Sequence, residues 1–439
     1  MKLKSWLRLL LLTVDSNAAQ FNQVPLTFPD DWNLNTLPSP NATGHLVFDT
    51  ISSLLQHWPN TRYHYVECWI LTLVTTRPLR VLYFDGSSAT KMPDGPMDTQ
   101  DLLAWGAVLP ERATVEWEYE RLNRMCDTLG FDAMQLNFEV MLCNFTDGVQ
   151  IQTFLRLEDE PRFPHHGYAF IHSSTWHDHH PGETRIHLDL TYAISLYDIA
   201  LAPSLVSSRY GQARRDHRVL GIDERDMAAV LARVQAIPSH SSHCSGSGID
   251  WRTLFQGLRD RYATRLEVLR SVLVEDNSVQ RAFVLIQTLL GPYRLHSAVV
   301  PPPSGSDTAF AVPVFRLCAT AHTLFANSES VQATLTASEH LLLTAARETN
   351  REICRTLVGM WAEGVRYPAS LSGSRLTGKW RSEVDRLMDW LGWSVWMKCR
   401  PACAADESCY LPGGPFSMEE WNCPVPRCVR LFEPYSGID

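Results

Sequence analysis

The sequence predicts an α+β protein: an α/β-like N-terminal domain, a mainly helical second region and an irregular, cysteine-rich C-terminal tail. Three observations carry that expectation. Trp69 to Thr75 and Leu79 to Phe84 are rich in β-branched and aromatic residues and apolar on both faces, and Arg77-Pro78 between them is a step biased away from helix. From Ile222 onward apolar residues recur every three or four positions, the spacing of a helix face. Five of the eleven cysteines, Cys399, Cys403, Cys409, Cys423 and Cys428, crowd among prolines and glycines where helical periodicity is lost.

At 439 residues the chain exceeds what one core usually holds, which predicts two or three domains. With 45% hydrophobic and 20% charged residues, disorder of the whole chain is excluded. A formal charge of -9 and a pI near 6.0 argue against a surface of clustered Lys and Arg, so no nucleic-acid partner is expected. Residues 1–19 read as a signal peptide: Lys2 and Lys4 precede an apolar stretch from Trp6 to Val14, broken by Arg8, and small residues follow up to Ala19. Beyond that leader no run reaches the roughly 18 apolar residues of a transmembrane helix. The remaining divisions are an N-terminal arm with a short helix (20–60), an α/β domain with a His-rich loop (61–210), a helical region (211–366), and a helix with a disulfide-rich tail (367–439).

In the arm, Leu46 to His57 has helical spacing and Pro59 stops it. After the two core strands, Asp98-Thr99 is a cap for a helix through Trp105, and a longer helix runs from near Thr114 to Gly130. Phe131 to Cys143 alternates as one strand, and Val149 to Leu157 follows it as a hairpin partner. Thr184 to Tyr192 alternates again, and Ser195 to Tyr210 is irregular. Asp223 caps Glu224 to Val234, Asp250 caps a long helix, and Val279 to Leu290 stops at Gly291-Pro292. Thr336-Ala-Ser-Glu339 is a capping box before Leu341 to Gly364, and Trp380, Val384, Leu387 and Leu391 mark a last helix.

Disulfides are favoured over zinc for the tail, because paired sulfurs are the natural source of order in so irregular a segment. Five is odd, so one tail cysteine pairs with Cys68, Cys126, Cys143, Cys244, Cys318 or Cys354 or stays free. Asn41 and Asn144 head N-glycosylation sequons. The loop from Pro161 to Pro181 holds His165, His166, His172, His177, His179 and His180; His177, His179 and His180, with His187 following, are the candidate metal ligands, but they fit no metallohydrolase spacing and solvated loop histidines are commoner; no metal site is assigned. Glu139, with Asn137 and Gln135 at alternate strand positions about 6.6–7 Å apart, is the candidate catalytic carboxylate; a wet sheet face explains the same pattern. Nucleophile-elbow, phosphate-loop, C-x-x-C and complete dinucleotide-binding patterns are missing, so no cofactor is expected.

The stretch from Thr72 to Ser88, together with Phe138-Glu-Val-Met-Leu-Cys143 and Trp396-Met-Lys-Cys-Arg-Pro-Ala-Cys403, resembles a family of predicted secreted fungal proteins without established function, over most of the chain. Through that family, Asn137-Phe138-Glu139 is similar to the x-x-Glu element that contacts the nicotinamide ribose in ADP-ribosyltransferases. The Tyr-His strand that opens such a site is represented only by Tyr63-His64-Tyr65, which runs almost directly into Cys68. The resemblance therefore implies a site lacking its front half. The expectation is a secreted, glycosylated, disulfide-stapled protein with a non-catalytic interaction or structural role. An ADP-ribosyltransferase-like enzyme using a nicotinamide dinucleotide is the alternative, and a metal-dependent hydrolase stands third.

Overall fold

The computed structural model describes residues 12–15, 43–49, 68–77, 79–84, 97–112, 117–136, 139–144, 147–156, 188–212, 216–237, 246–297, 308–367, 374–404, 407–410 and 425–430. The fold is mixed and helix-rich. Two units divide it, Arg8–Cys244 with Pro401–Asp439, and Met1–Leu7 with Ser245–Arg400.

The first unit holds the strands β1 (Leu12–Asp15), β2 (Thr43–Asp49), β3 (Cys68–Thr75), β4 (Arg80–Tyr83), β5 (Ala133–Leu136), β6 (Glu139–Leu142), β7 (Val149–Arg156), β8 (Leu188–Asp189), β9 (Glu407–Tyr410) and β10 (Arg427–Arg430). They form a five-stranded sheet ordered β6-β5-β4-β1-β8, a three-stranded sheet β2-β3-β7 and a two-stranded sheet β10-β9. The two apolar runs are strands, but they lie in different sheets. Both edges of β3 are occupied, by β2 and β7, which leaves β4 to pair with β1 and β5 instead.

Several local readings give way to this pairing. The start of the expected arm helix, Leu46–Asp49, is extended instead, as part of the strand β2 that pairs with Cys68–Val74 of β3. The single strand expected from Phe131 to Cys143 is two antiparallel strands, with Leu136 opposite Glu139 and Gln135 opposite Val140. The antiparallel pairing of β5 with β6 thus splits the alternation. β7 does not continue that hairpin but pairs antiparallel with β3, since β5 and β6 already satisfy each other. Of the strand expected over Thr184 to Tyr192, only Leu188–Asp189 is extended, and Leu190–Tyr192 is a 3-10 turn capped by Asp189.

The helices of this unit are α1 (Asp98–Trp105), α2 (Glu118–Leu129), α3 (Pro203–Arg209) and α4 (Glu224–Ala236). α2 ends at Gly130, whose φ of 72° is the left-handed conformation glycine adopts without a Cβ penalty. α3 lies where irregular chain was expected; its proline occupies the first turn, where a missing N–H costs nothing. α4 begins as Asp223 predicts, the carboxylate accepting from Asp226 N at 2.8 Å. α1 does not use Asp98 as a cap. That buried carboxylate instead accepts from Arg218 Nε and Nη2 at 2.8 and 2.9 Å and from Val219 N at 2.9 Å. Leu82, Phe84, Leu102, Met125, Met134, Leu205 and Val230 form the core between these elements, and a Cys126–Cys143 disulfide fastens α2 to the end of β6.

The second unit is helical, with α5 (Trp251–Val274), α6 (Val279–Ser297), α7 (Val312–Thr320), α8 (Glu329–Gln332), α9 (Ala337–Arg366) and α10 (Ser374–Leu391). Leucines and aromatics at three- and four-residue spacing meet in one core, including Leu258, Leu266, Ile286, Leu357, Trp361 and Trp380. α9 starts with the full capping box of Thr336 and Glu339. α6 runs through the expected stop, with Pro292 inside it. Burial of Leu289, Leu290 and Tyr293 on either side holds the helix together there, and Arg261 Nη2 donates to Leu289 O at 3.4 Å in the turn before the proline. A Cys318–Cys354 disulfide joins α7 to α9.

In the tail, Cys403 is bonded to Cys428, which lies opposite Cys409 in the β9–β10 pair. Cys399 and Cys409 are disulfide-bonded as well. Oxidised sulfurs offer no thiolate to a metal. Cys423 lies outside the described residues. No helix among those described is long and apolar enough to cross a membrane.

Candidate functional site

The residues singled out from sequence do not assemble a site among the described residues. Glu139 opens β6 opposite Leu136, and Gln135 sits on β5. Asn137 and the imidazoles His177, His179, His180 and His187 lie outside the described residues, as does Asn41. Asn144 is exposed, next to the Cys126–Cys143 bridge.

A cavity of about 440 Å³ opens instead on the helical unit. Its wall is one face of α5: Asp250, Thr253, Leu254 and Gly257 line it, at the i, i+3, i+4 and i+7 positions that a helix brings into register. Ile249, His322 and Phe325 complete it. Asp250 is fixed by its capping role, with Oδ1 accepting from Thr253 N at 3.0 Å and Oδ2 from Thr253 Oγ1 at 2.6 Å. These bonds hold its carboxyl below the usual range. Phe325 is 48% exposed and the adjacent Leu324 63%, so the rim is apolar.

Gly257 supplies the space. A glycine inside a helix costs about 1 kcal/mol relative to alanine, and a Cβ built here would meet no atom within 4 Å. One turn further along the same face stands Arg261. Its guanidinium carbon lies 5.5 Å from the ring centre of Tyr262 and 5.3 Å from that of Tyr293. The two phenol oxygens are 3.4 Å apart. Burial, then the neighbouring Tyr293, pushes the Tyr262 phenol well above its ordinary range, so the hydroxyl is neutral.

His322 follows α7 in a turn held by Thr323 N donating to Thr320 O at 2.9 Å. Its ring meets Tyr262 edge-on at 6.4 Å. Burial, and then the Arg261 charge, hold its pKa below the ordinary value, so the imidazole is neutral at pH 7. Two buried polar atoms in this cluster have no hydrogen-bond partner among the described residues, His322 Nε2 and Arg261 Nε. The cavity therefore combines apolar walls, a neutral imidazole and the capping carboxylate of Asp250, with Arg261 packed behind it against Tyr262 and Tyr293.

The first unit has a polar concentration of a different kind. Arg121, almost fully buried, donates from Nε to Asp101 Oδ1 at 2.8 Å and from Nη2 to Arg112 O at 2.7 Å. Its guanidinium covers Trp105, while Arg112 sits 5.1 Å from the Trp105 ring centre and 4.8 Å from that of Trp117. Burial pushes the Asp101 carboxyl above its ordinary range despite Arg121. This stack of cations and indoles ties α1 and α2 together. No sequence motif announces either cluster; the one local signal is Gly257, a glycine amid a leucine-bearing helix face.

Compared with known proteins, the chain matches no family model, no curated protein and no solved structure.

Proposed function

We propose that the protein is a secreted, disulfide-stapled protein that works by binding rather than by catalysis. Its compartment is supported by the eight disulfide-bonded cysteines, which suit an oxidising environment, by the exposed acceptor Asn144, and by the resemblance to secreted fungal proteins. The tail is accordingly read as an irregular segment ordered by its sulfurs, and the N-terminal region as α/β-like.

One observation carries the preference for binding. In the α5 cavity both Asp250 oxygens are occupied by Thr253, and His322 has no carboxylate or nucleophile paired with it among the described residues. A cavity so lined recognises a ligand; general acid–base work needs a proton relay of matched groups.

The alternative, an ADP-ribosyltransferase-like use of Glu139, is separated by thermal-shift measurement with nicotinamide adenine dinucleotide, because a ligand of the folded state raises the melting temperature by mass action. No shift is expected at millimolar dinucleotide. A shift that disappears in Glu139→Gln, with the fold preserved, overturns the binding reading in favour of the enzyme. Alkylation with and without reductant tests the compartment: eight sulfurs should resist labelling until reduced, whereas eleven free thiols in protein from its native source would refute secretion.

A further inference from the structure

We propose that the four bonded cysteines of the tail form a latch operated by a small thiol, their sulfurs being placed so that Cys399–Cys409 with Cys403–Cys428 rearranges to Cys399–Cys403 with Cys409–Cys428. The proposal does not depend on the binding role above.

The first pairing follows from the bridges. Eight of the described cysteines are disulfide-bonded. Cys126–Cys143, Cys318–Cys354 and Cys403–Cys428 account for six of them, and Cys399 and Cys409 are the pair that remains. The second pairing is present in the same geometry. Cys409 and Cys428 stand directly opposite each other in the antiparallel β9–β10 ladder, where Cα atoms lie about 4.5–5.5 Å apart, inside the span that a disulfide bridges. The sulfurs of Cys399, Cys403 and Cys428 all lie within 4.8 Å of one another. Cys399 is thus beside both ends of a bridge to which it does not belong. Among the described residues no other bridge has a third sulfur gathered against it in this way.

The exchange balances without an oxidant or a reductant. Cys409 is exposed, so the thiolate of a small monothiol attacks its sulfur, forms a mixed disulfide there and expels Cys399 as thiolate. Lys398 and Arg400 flank Cys399 and share one carboxylate, Glu267, with Lys398 Nζ at 3.0 Å and Arg400 Nη2 as the second donor. Two cations against one anion leave a positive surplus that favours the thiolate. Cys399 then attacks the Cys403 sulfur, forming Cys399–Cys403 and expelling Cys428. Cys428 in turn attacks Cys409, forming Cys409–Cys428 and returning the monothiol. Two S–S bonds break, two form, and the thiol is a catalyst.

The rearrangement changes what the hairpin is tied to. In the first pairing β9 and β10 are each bonded to the segment 399–403, through Cys409 and Cys428 respectively. In the second the strands are bonded to each other and the segment to itself, so the hairpin is released from that segment while every sulfur stays oxidised.

The test uses the full-length oxidised protein, incubated with reduced glutathione in the presence of its disulfide, quenched with N-ethylmaleimide and digested without reduction. Cleavage after Lys398, Glu407, Glu419, Arg427 and Arg430 separates fragments 399–407, 408–419 and 428–430. Without glutathione the three should remain joined. With it, fragment 399–407 should appear free, internally bridged and unlabelled, alongside 408–419 joined to 428–430. If the three stay joined, or if 399–407 is released only with maleimide or glutathione on its sulfurs, the tail undergoes no interchange and the proposal is overturned. Cys409→Ser reads the sulfur relay with no added thiol. It frees Cys399, which should attack Cys403 and pass the free thiol on, so maleimide should label Cys428 as well as Cys399; label on Cys399 alone overturns the relay.

Discussion

Removing the Glu339 carboxylate should unfasten the starts of α5 and α9 together. The residue is fully buried, at 0% exposure. It accepts from Thr336 N at 2.8 Å, from Ser247 N at 3.1 and 3.2 Å and from Trp251 Nε1 at 3.0 Å, and also from Ser247 Oγ. A hydrogen bond to a charged acceptor is worth about 1.5–3 kcal/mol, and a buried donor left unpaired costs about 1–3 kcal/mol. The donors on Ser247 and Thr336 are partly buried and can turn to water, so the bonds are not all lost at full value. The indole N–H is buried and has no such recourse.

Counting the indole and one backbone donor, Glu339→Ala should lose about 3–5 kcal/mol, and Glu339→Gln, which keeps one carbonyl oxygen in place, about 1–3 kcal/mol. Guanidinium denaturation followed by far-ultraviolet circular dichroism measures both. The pH dependence supplies an independent reading. Burial works to raise the Glu339 pKa, but the bonds from Ser247, Thr336 and Trp251 outweigh it and hold the carboxyl below its usual 4.5. A depressed folded value means that its contribution is complete above pH 4.5 and is lost as pH falls through the folded value. Wild type should therefore lose stability over that acid window more steeply than Glu339→Gln. An alanine variant within about 1 kcal/mol of wild type, or equal acid slopes, would refute the reasoning.

Replacing Cys318 and Cys354 together by alanine opens a loop spanning 36 residues, and loop-closure entropy puts the loss at about 4 kcal/mol, read from the denaturation midpoint; an unchanged midpoint would show the bridge to be idle. Gly364→Ala places a Cβ 2.5 Å from the Phe283 ring, so the ring or the packing of α6 on α9 must shift. Overpacking of about 1–3 kcal/mol should exceed the gain in helix propensity of about 1 kcal/mol, and adding Phe283→Leu should restore the melting temperature. Asp101→Asn leaves the buried Arg121 charge uncompensated and should cost about 3 kcal/mol by urea denaturation.

What the amino-acid sequence determined by itself was local. Asp223, Asp250 and the Thr336–Glu339 box start their helices where they are written, because a cap acts on backbone N–H groups two or three residues away. Gly130 ends α2 for an equally local reason. The mixed composition of helices and strands follows from periodicities contained within single segments. Tertiary structure decided everything that depends on a distant partner. The periodicity of β3 says that it is extended, but only the sheet shows β2 and β7 on its edges. Asp98 is a plausible cap until Arg218, 120 residues away, takes its carboxylate. The alternation through Glu139 is broken by a chain reversal that periodicity does not register, because hairpin strands on either side of a turn keep the same two-residue pattern. Pro292 reads as a stop because its local cost is certain, while the burial of Leu290 and Tyr293 that offsets it comes from other helices. The α5 cavity has the same origin: Asp250, Thr253 and Gly257 share one helix face, but His322 reaches them only through packing of α7 and α5 around Tyr262.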